Sequence, residues 1–298
     1  MRTFYTKRTV MKKLIVLLIL IFSASFAHAH TIWINAFESH AHGGHNAMVC
    51  LGWGHALPMD DILNSPNGRI AIERFELLDP SLKKIELLKP ESKLAEPKLS
   101  NDNFDLFAAD LATQKIGFKK SSAPGVYQIG AVSRATFYTQ YVDKKGKTRL
   151  KLKPKDEIKD IQTVLMSVKY QAFAKSYLTV GAWSEPKPLG HGLEIIPRTD
   201  LSSLHTGDLV EVDVLFHGKP PEGMQYITAN SGSFGQSDGF SLYSKVKKGK
   251  AGFRVQNAGQ WAISIAIKDD VTQKGPLKDL YGKADVVSHA ATLTFNVR

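Results

Sequence analysis

The chain has 298 residues, with 39 Lys and Arg against 28 Asp and Glu, a formal net charge of +11, and a single Cys. One cysteine excludes an intrachain disulfide, so the hydrophobic core has to hold the fold unaided. The charge does not indicate nucleic-acid binding, because five basic residues lie in the first 29 positions and much of the remaining excess lies in one run, 144–155. This run, KKGKTRLKLKPK, lacks the interleaved aromatic residues of a nucleic-acid surface, and we interpret it as a solvated loop or hairpin.

Residues 1–29 have the pattern of a secretion signal. A lysine pair precedes the apolar run 14–22, and the small-residue stretch SASFAHAH follows that run. The spacing of the small residues predicts cleavage before His30, with cleavage before His28 as the alternative, and Met11 is an alternative start. The apolar run is shorter than the roughly 20 residues that a membrane-spanning helix needs. We therefore expect a periplasmic protein that is not membrane-embedded after cleavage.

Histidines are concentrated directly behind this signal, where the stretch 28–55 contains six of the ten in the chain. They are His28, His30, His40, His42, His45 and His55. Neutral imidazole is a common ligand of nickel, cobalt, copper and zinc, so the cluster predicts a transition-metal site. The alternative interpretation is a solvated histidine-rich loop, since such a tract is only a compositional signal.

The new amino terminus would add metal chemistry of its own. Cleavage before His30 leaves a free amine and a ring nitrogen that chelate one ion as a pair. Cleavage before His28 gives His-Ala-His, whose amine, two amides and third-position imidazole form the square-planar set favoured by Ni²⁺ and Cu²⁺. His55 follows the Gly-Trp-Gly turn 52–54, which predicts a firmly held imidazole, and we expect it to be the third ligand. The H-x-H-x-x-H loop between them suits collecting a metal more than holding one rigidly.

Most of the remaining chain alternates between apolar and polar residues and is interrupted by Pro, Gly and Asp, which is typical of strands. The segment 161–183 is ambiguous in composition, and its β-branched and aromatic residues favour strand. Pro, Gly and polar residues cluster at 184–192, where we predict a domain boundary. The prediction is an all-β protein with two immunoglobulin-like β-sandwich domains, a metal-binding domain over 30–186 and a second domain over 187–298.

Five phrases occur in order along the chain: HTIWINAF, LGWGHALPMDD, PLGHGLEIIPRTDL, GDLVEVDVLFHGKPPEG and SHAATLTFNV. Together they resemble a NikM-like, DUF4198-type bacterial periplasmic family of formally unknown function. Its members are often labelled periplasmic component of a cobalt or nickel transport system. The resemblance implies β-sandwich folds and the handling of a transition metal outside the inner membrane. It points to His30 and His55, more weakly to His289, and to His191 in the junction phrase, whereas the SHAHGGH loop is not part of the pattern.

These observations favour a soluble periplasmic protein that binds Ni²⁺ or Co²⁺, with Cu²⁺ as an alternative, and supplies an inner-membrane nickel/cobalt transporter. The predicted metal ligands are His30, His55, His289, His40, His42, His45 and His191. We expect no enzymatic activity, because the chain has no H-E-x-x-H or phosphate-loop motif. The alternatives are a β-sandwich adhesion or carbohydrate-binding module with incidental histidines, and a histidine-brace copper protein.

Two further residues with possible ligand chemistry have a structural interpretation. Cys50 lies among apolar neighbours and is predicted to be buried. Glu194, in the phrase LEIIP, is predicted to form a structural ion pair rather than to orient a metal-binding histidine.

Overall fold

The computed structural model describes four ranges of the chain, residues 30–39, 45–65, 68–233 and 241–298. The predicted signal, 1–29, lies outside the described residues, as do His40 and His42. Within these ranges the regular structure is almost entirely strand, and helix is limited to short 3-10 turns. The all-β prediction is confirmed.

The strands are numbered in chain order. They are β1 (Thr31–Ser39), β2 (Asn46–Gly54), β3 (Asn64–Ser65), β4 (Gly68–Arg69), β5 (Ile72–Leu78), β6 (Lys84–Glu86), β7 (Leu99–Ser100), β8 (Asp105–Leu106), β9 (Gln114–Gly117), β10 (Gly125–Ser133), β11 (Thr136–Asp143), β12 (Thr148–Lys151), β13 (Ile161–Val180), β14 (Leu193–Pro197), β15 (Leu209–Phe216), β16 (Gln225–Ser231), β17 (Leu242–Val246), β18 (Lys250–Arg254), β19 (Gly259–Asp270) and β20 (Val286–Val297). The ambiguous segment 161–183 is strand over most of its length, as predicted.

Alternation of side chains explains the clearest strands. In β15 the three valines Val210, Val212 and Val214 are buried, and the residues between them are exposed or half-buried. A strand directs successive side chains to opposite faces, and β-branched residues fit that geometry, so this sequence favours a strand with one buried face.

A ten-stranded sheet forms the middle of the fold. Its main path has the strand order β17-β16-β19-β20-β13-β10-β5-β6, and β11 and β12 extend it beside β13. The described ladders are antiparallel except for the pairing of β13 with β20, which is parallel. Two three-stranded sheets, β1-β2-β9 and β14-β15-β18, supply the other layers.

The ten-stranded sheet has a hydrophobic core on each of its faces. Phe173 and Leu293 belong to the core shared with β14 and β15, whereas Ala172 and Ala290 belong to the core shared with β1 and β2. Because neighbouring side chains on a strand alternate between faces, β13 and β20 contribute to both cores. The fold is therefore a three-layer arrangement in which one sheet is common to two sandwiches.

The predicted domain boundary between residues 186 and 187 falls between β13 and β14. The ladder between β13 and β20 joins chain segments from the two sides of that position. The division into two domains stays a prediction.

The outer edge of β1 is covered by side chains of β20. Thr292 Oγ1 donates to the carbonyl oxygen of Ile32 over 2.7 Å, and Thr294 donates to the carbonyl of Ile34. Asn296 Nδ2 donates to a third β1 carbonyl over 3.0 Å. An unpaired strand edge is a site for unwanted pairing with another chain, and these donors cover it. They also fix the β1–β2 hairpin on the large sheet.

No helix in the described part of the chain combines the length and apolar character needed to cross a membrane.

Candidate metal centre

Five of the seven predicted metal-binding histidines lie in the described part of the chain. They are His30, His45, His55, His191 and His289. His30 directly precedes β1, His55 directly follows β2, and His45 precedes β2 at the other end of the hairpin. His191 and His289 lie in the second half of the chain, which contributes mainly to the core shared with β14 and β15.

The end of β2 holds His55 through a carboxylate. The backbone N–H groups of His55 and Ala56 donate to Asp60 Oδ1 over 2.7 and 3.3 Å. The Nδ1 atom of His55 lies 3.3 Å from Asp60 Oδ2. Gly54 has a φ of 127°, and a Cβ at this position would lie 1.8 Å from Asp60 Oδ1, so glycine leaves the room that the carboxylate occupies. Asp60 thus orients the His55 ring, while 43% of the side chain remains exposed.

The loop after His55 is fixed to β1 by two side-chain hydrogen bonds. The indole Nε1 of Trp33 donates to the carbonyl of Pro58 over 2.9 Å, and Asn35 Nδ2 donates to the same oxygen over 3.0 Å. A Cβ on Gly52 would lie 2.0 Å from Trp33 Nε1, so this glycine makes room for the indole. The predicted turn at 52–54 is wrong, because these residues form the end of β2 and pair with β1. Both glycines instead accommodate groups that position the segment carrying His55.

His45 lies too far from this end to share an ion with His55. His45 directly precedes Asn46, which pairs with Ser39 at the far end of the nine-residue strand β1. At about 3.4 Å per residue, the two ends of the hairpin are roughly 27 Å apart. Cys50, in the middle of β2, is buried as predicted, and burial raises the pKa of its thiol, which disfavours the thiolate that a metal would require.

His191 is enclosed in the core on the other face of the large sheet. Its ring stacks on Phe173 with a centroid separation of 5.6 Å, and Gly130 gives it space, since a Cβ there would lie 3.3 Å from the imidazole Cε1. The residue is 2% exposed, and neither ring nitrogen has a hydrogen-bond partner within the described residues. Burial first, then the positive charge of Lys175, lowers the pKa of His191 from 6.5 to about 4. The ring is therefore neutral at neutral pH.

A buried ion pair lies beside His191. Lys175 Nζ donates to Glu194 Oε1 over 2.6 Å, and both side chains are 2% exposed. The carboxylate also accepts the backbone N–H groups of Leu189 and Gly190, over 2.6 and 3.2 Å. The structural ion pair predicted for Glu194 is confirmed. Burial lowers the pKa of Lys175, and the attraction of Glu194 opposes that effect.

His289, on β20, lies next to a histidine that the sequence did not indicate. Its ring centroid is 5.4 Å from that of His217 and 5.4 Å from that of Phe216. Burial lowers the pKa of His289, and His217 adds to the effect. Thr292 on the same strand points to β1, so alternation directs His289 to the opposite face of the sheet. The structure does not bring His289 and His55 together.

The described ranges contain no group of three or more His, Cys, Asp or Glu side chains arranged to hold a metal ion. Two pairs of neighbouring side chains contain a histidine that could act as a metal ligand. The first is His55 with the Asp60 carboxylate at the end of the hairpin, and the second is the pair formed by His217 and His289. Of these, only the first has a ring that a carboxylate orients, an arrangement common among metal-binding histidines.

A family model described as a domain of unknown function, DUF4198, matches residues 27–269. The chain belongs to this family. In this DUF4198 member the matched region includes the β1–β2 hairpin, His55 and His191, and it ends within β19, before His289. No curated protein matches the chain.

Two residues of these pairs were not indicated by sequence reasoning. His217 belongs to the phrase HGKPPEG, which predicted only a turn, and it has a positive φ of 48° there. A His-Gly pair directly after an alternating strand is a usable signal, since His is enriched among non-glycine residues with positive φ. Asp60 is five residues after His55, and no local period indicates that contact, which arises from the loop geometry.

Proposed function

We propose that this DUF4198 member is a periplasmic protein that binds Ni²⁺ or Co²⁺ and supplies the ion to an inner-membrane uptake transporter. The signal pattern over 1–29 and the resemblance to chains labelled as parts of nickel or cobalt transport systems support the proposal. The protein then has a binding function, and we expect no catalytic activity.

The register of the β1–β2 hairpin carries the proposal. The described ladder ends at the pair of Thr31 and Gly54. The next residue in the sequence is His30 on one strand and His55 on the other. In a chain cleaved before His30, the new amine and imidazole would therefore belong to the residue before Thr31, and His55 is the residue after its partner Gly54. This ladder places the second strand directly beside the first.

The chemistry of this arrangement fits a borderline-soft divalent ion. An amine and imidazole from His30 form a chelate, and His55 would add a second imidazole. Asp60 would fix the ring orientation and raise the basicity of His55 as a ligand. Ligand imidazoles have to be neutral, so affinity should fall between about pH 7.5 and pH 5.

Isothermal titration with Ni²⁺ tests the proposal on protein that begins at His30. We expect His55→Ala and an added Met before His30 each to weaken binding sharply. Replacing His40, His42 and His45 together should weaken it less. His205→Ala is the matched control, because His205 is exposed and belongs to a different part of the fold. Equal affinity of the native and Met-extended proteins would remove the terminal-amine site.

Mass spectrometry of the exported protein, with and without metal, gives its amino-terminal residue and the number of metal ions bound per chain. We expect a terminus at His30 and one bound metal ion. A terminus at His28 would replace the proposed ligand set by the His-Ala-His chelate, and export without any bound or titratable metal would contradict the function.

A further inference from the structure

The basic run 144–155 forms part of a three-stranded extension of the large sheet. β12 pairs with β11, and β11 pairs with the first half of β13. The turn between β11 and β12 is held by Asp143, whose Oδ1 accepts the backbone N–H groups of Lys145 and Lys147, each over 2.9 Å. These hydrogen bonds, with that from Lys147 foremost, lower the pKa of Asp143. We call the segment 136–168 the basic arm.

Seven basic residues and no acidic one lie between positions 144 and 155. Three of them have acidic partners, since Arg149 pairs with Asp143, Lys153 with Glu157 and Lys155 with Asp285. The other four form no ion pair within the described residues. They are Lys144, Lys145, Lys147 and Lys151. All four are exposed, so the arm presents uncompensated positive charge to the solvent.

One face of the basic arm also exposes large apolar side chains. Gln140 on β11 pairs with Leu150 on β12 and with Met166 on β13, so the three side chains form a row across one face. Leu150 is 44% exposed and Met166 is 45% exposed. Leu165, next to Met166 at an irregularity in the ladder, is 54% exposed. The opposite face is covered, because Tyr141 and Thr139 point there and are buried.

We propose that the basic arm binds an anionic lipid surface. Lys144, Lys145 and Lys147, in the turn that leads into β12 and Leu150, match phosphate-bearing headgroups. Leu150, Leu165 and Met166 reach into the boundary between headgroups and acyl chains. A protein partner fits this surface less well, because the centres of protein interfaces are depleted in lysine, whereas here a turn with three lysines that lack ion pairs in the described part of the chain lies directly beside the apolar row. The assignment does not depend on the metal site at the β1–β2 hairpin.

Vesicle co-sedimentation tests the proposal with protein that begins at His30, since the apolar run 14–22 would itself insert into lipid. We expect binding to vesicles of phosphatidylcholine mixed with phosphatidylglycerol, little binding to phosphatidylcholine alone, and release by salt. The triple variant K144Q/K145Q/K147Q should lower the partition coefficient on the order of a hundredfold. The double variant L150T/M166T should also lower it while keeping the charge.

The matched control is K245Q/K247Q/K250Q, which removes the same charge from exposed lysines at the β17–β18 turn. We expect it to bind anionic vesicles like the unmodified protein. All replaced residues are exposed, and circular dichroism of each variant checks that the fold is retained. Absent binding to anionic vesicles, equal binding to neutral ones, or an equal loss in the control would overturn the proposal.

Discussion

At the scale of single residues, His191 is a buried base whose ring nitrogens have no hydrogen-bond partner within the described residues. Its pKa is about 4 in the folded protein against 6.5 as the ordinary value. Between these values the unfolded chain binds a proton that the folded chain does not, so stability falls as the pH falls through this window. The difference corresponds to roughly 3 kcal/mol.

We therefore expect His191→Leu to flatten the loss of stability on acidification. Urea unfolding at about pH 7 and about pH 4.5 should show a smaller difference for the variant than for the unmodified protein, by on the order of 2 kcal/mol. His289, whose pKa is also lowered, should leave a residual slope. The same pH dependence in both proteins would show that His191 does not titrate as a buried group.

Removing one member of the ion pair between Lys175 and Glu194 should lower the free energy of unfolding by more than the His191 substitution changes it. Lys175→Met leaves the Glu194 carboxylate charged and buried, so we expect a loss of about 3 to 5 kcal/mol in the free energy of unfolding. The double variant K175M/E194Q removes both charges and should recover much of that loss. Chemical denaturation measures both. A single variant as stable as the unmodified protein would mean that water reaches the pair.

Asp60 gives the sharpest test of how His55 is oriented. Asp60→Asn keeps the shape of the side chain and removes the charge that faces His55 Nδ1. Under the proposed function, Ni²⁺ affinity should fall about 10- to 100-fold. Isothermal titration measures the affinity. Asp79→Asn is the control, because Asp79 lies in the surface turn directly after β5. Unchanged affinity in D60N would separate Asp60 from the metal site.

Local sequence predicted some of these residues and not others. The glycines on either side of Trp53 indicated a firmly held His55, and Asp60 does orient that ring, but the tight turn expected at 52–54 is the end of strand β2. The contact between His217 and His289 was not predictable in this way. It joins residues from β20 and from the turn after β15, and only the sheet order brings them together.

At the scale of the elements, β1 depends on side chains of β20 as well as on its partner strand. Thr294→Val removes the donor to the buried carbonyl of Ile34 while keeping the volume of the side chain. We expect a loss of about 1 to 2 kcal/mol, because the carbonyl loses its partner. Thr228→Val is the control, since that hydroxyl bonds a half-buried serine hydroxyl instead. Equal losses in thermal or urea unfolding would contradict a specific role for the β1 edge.

Strand existence was predictable where alternation extends over several residues, as in β15, and where an apolar run is bounded by turn residues, as in β2 and β10, which are buried on both faces. Two-residue strands such as β3, β4, β7 and β8 are too short to show a period. The parallel pairing of β13 with β20 was beyond reach, because it joins Val168 to Val286 and nothing local records so distant a partner. Sequence thus predicted the strands, and the ladder connecting the two halves required the structure.

At the scale of the whole molecule, one sheet serves two cores. Ala172 and Phe173 are neighbours on β13, yet they pack into different cores. We expect a single cooperative unfolding transition, with circular dichroism and tryptophan fluorescence giving coincident curves, because loss of either core exposes the same sheet. Two separated transitions, or stable folding of the fragments 30–186 and 187–298, would support independent domains at the predicted boundary.

The position of β20 in the sheet also sets the order of folding. It is synthesised after every other described strand, yet it lies between β13 and β19. Until it emerges, each of those two strands has an unpaired edge in what becomes the interior of the sheet. Pairings between such distant segments form slowly. A newly made chain therefore cannot complete its central sheet until the last described strand has been synthesised.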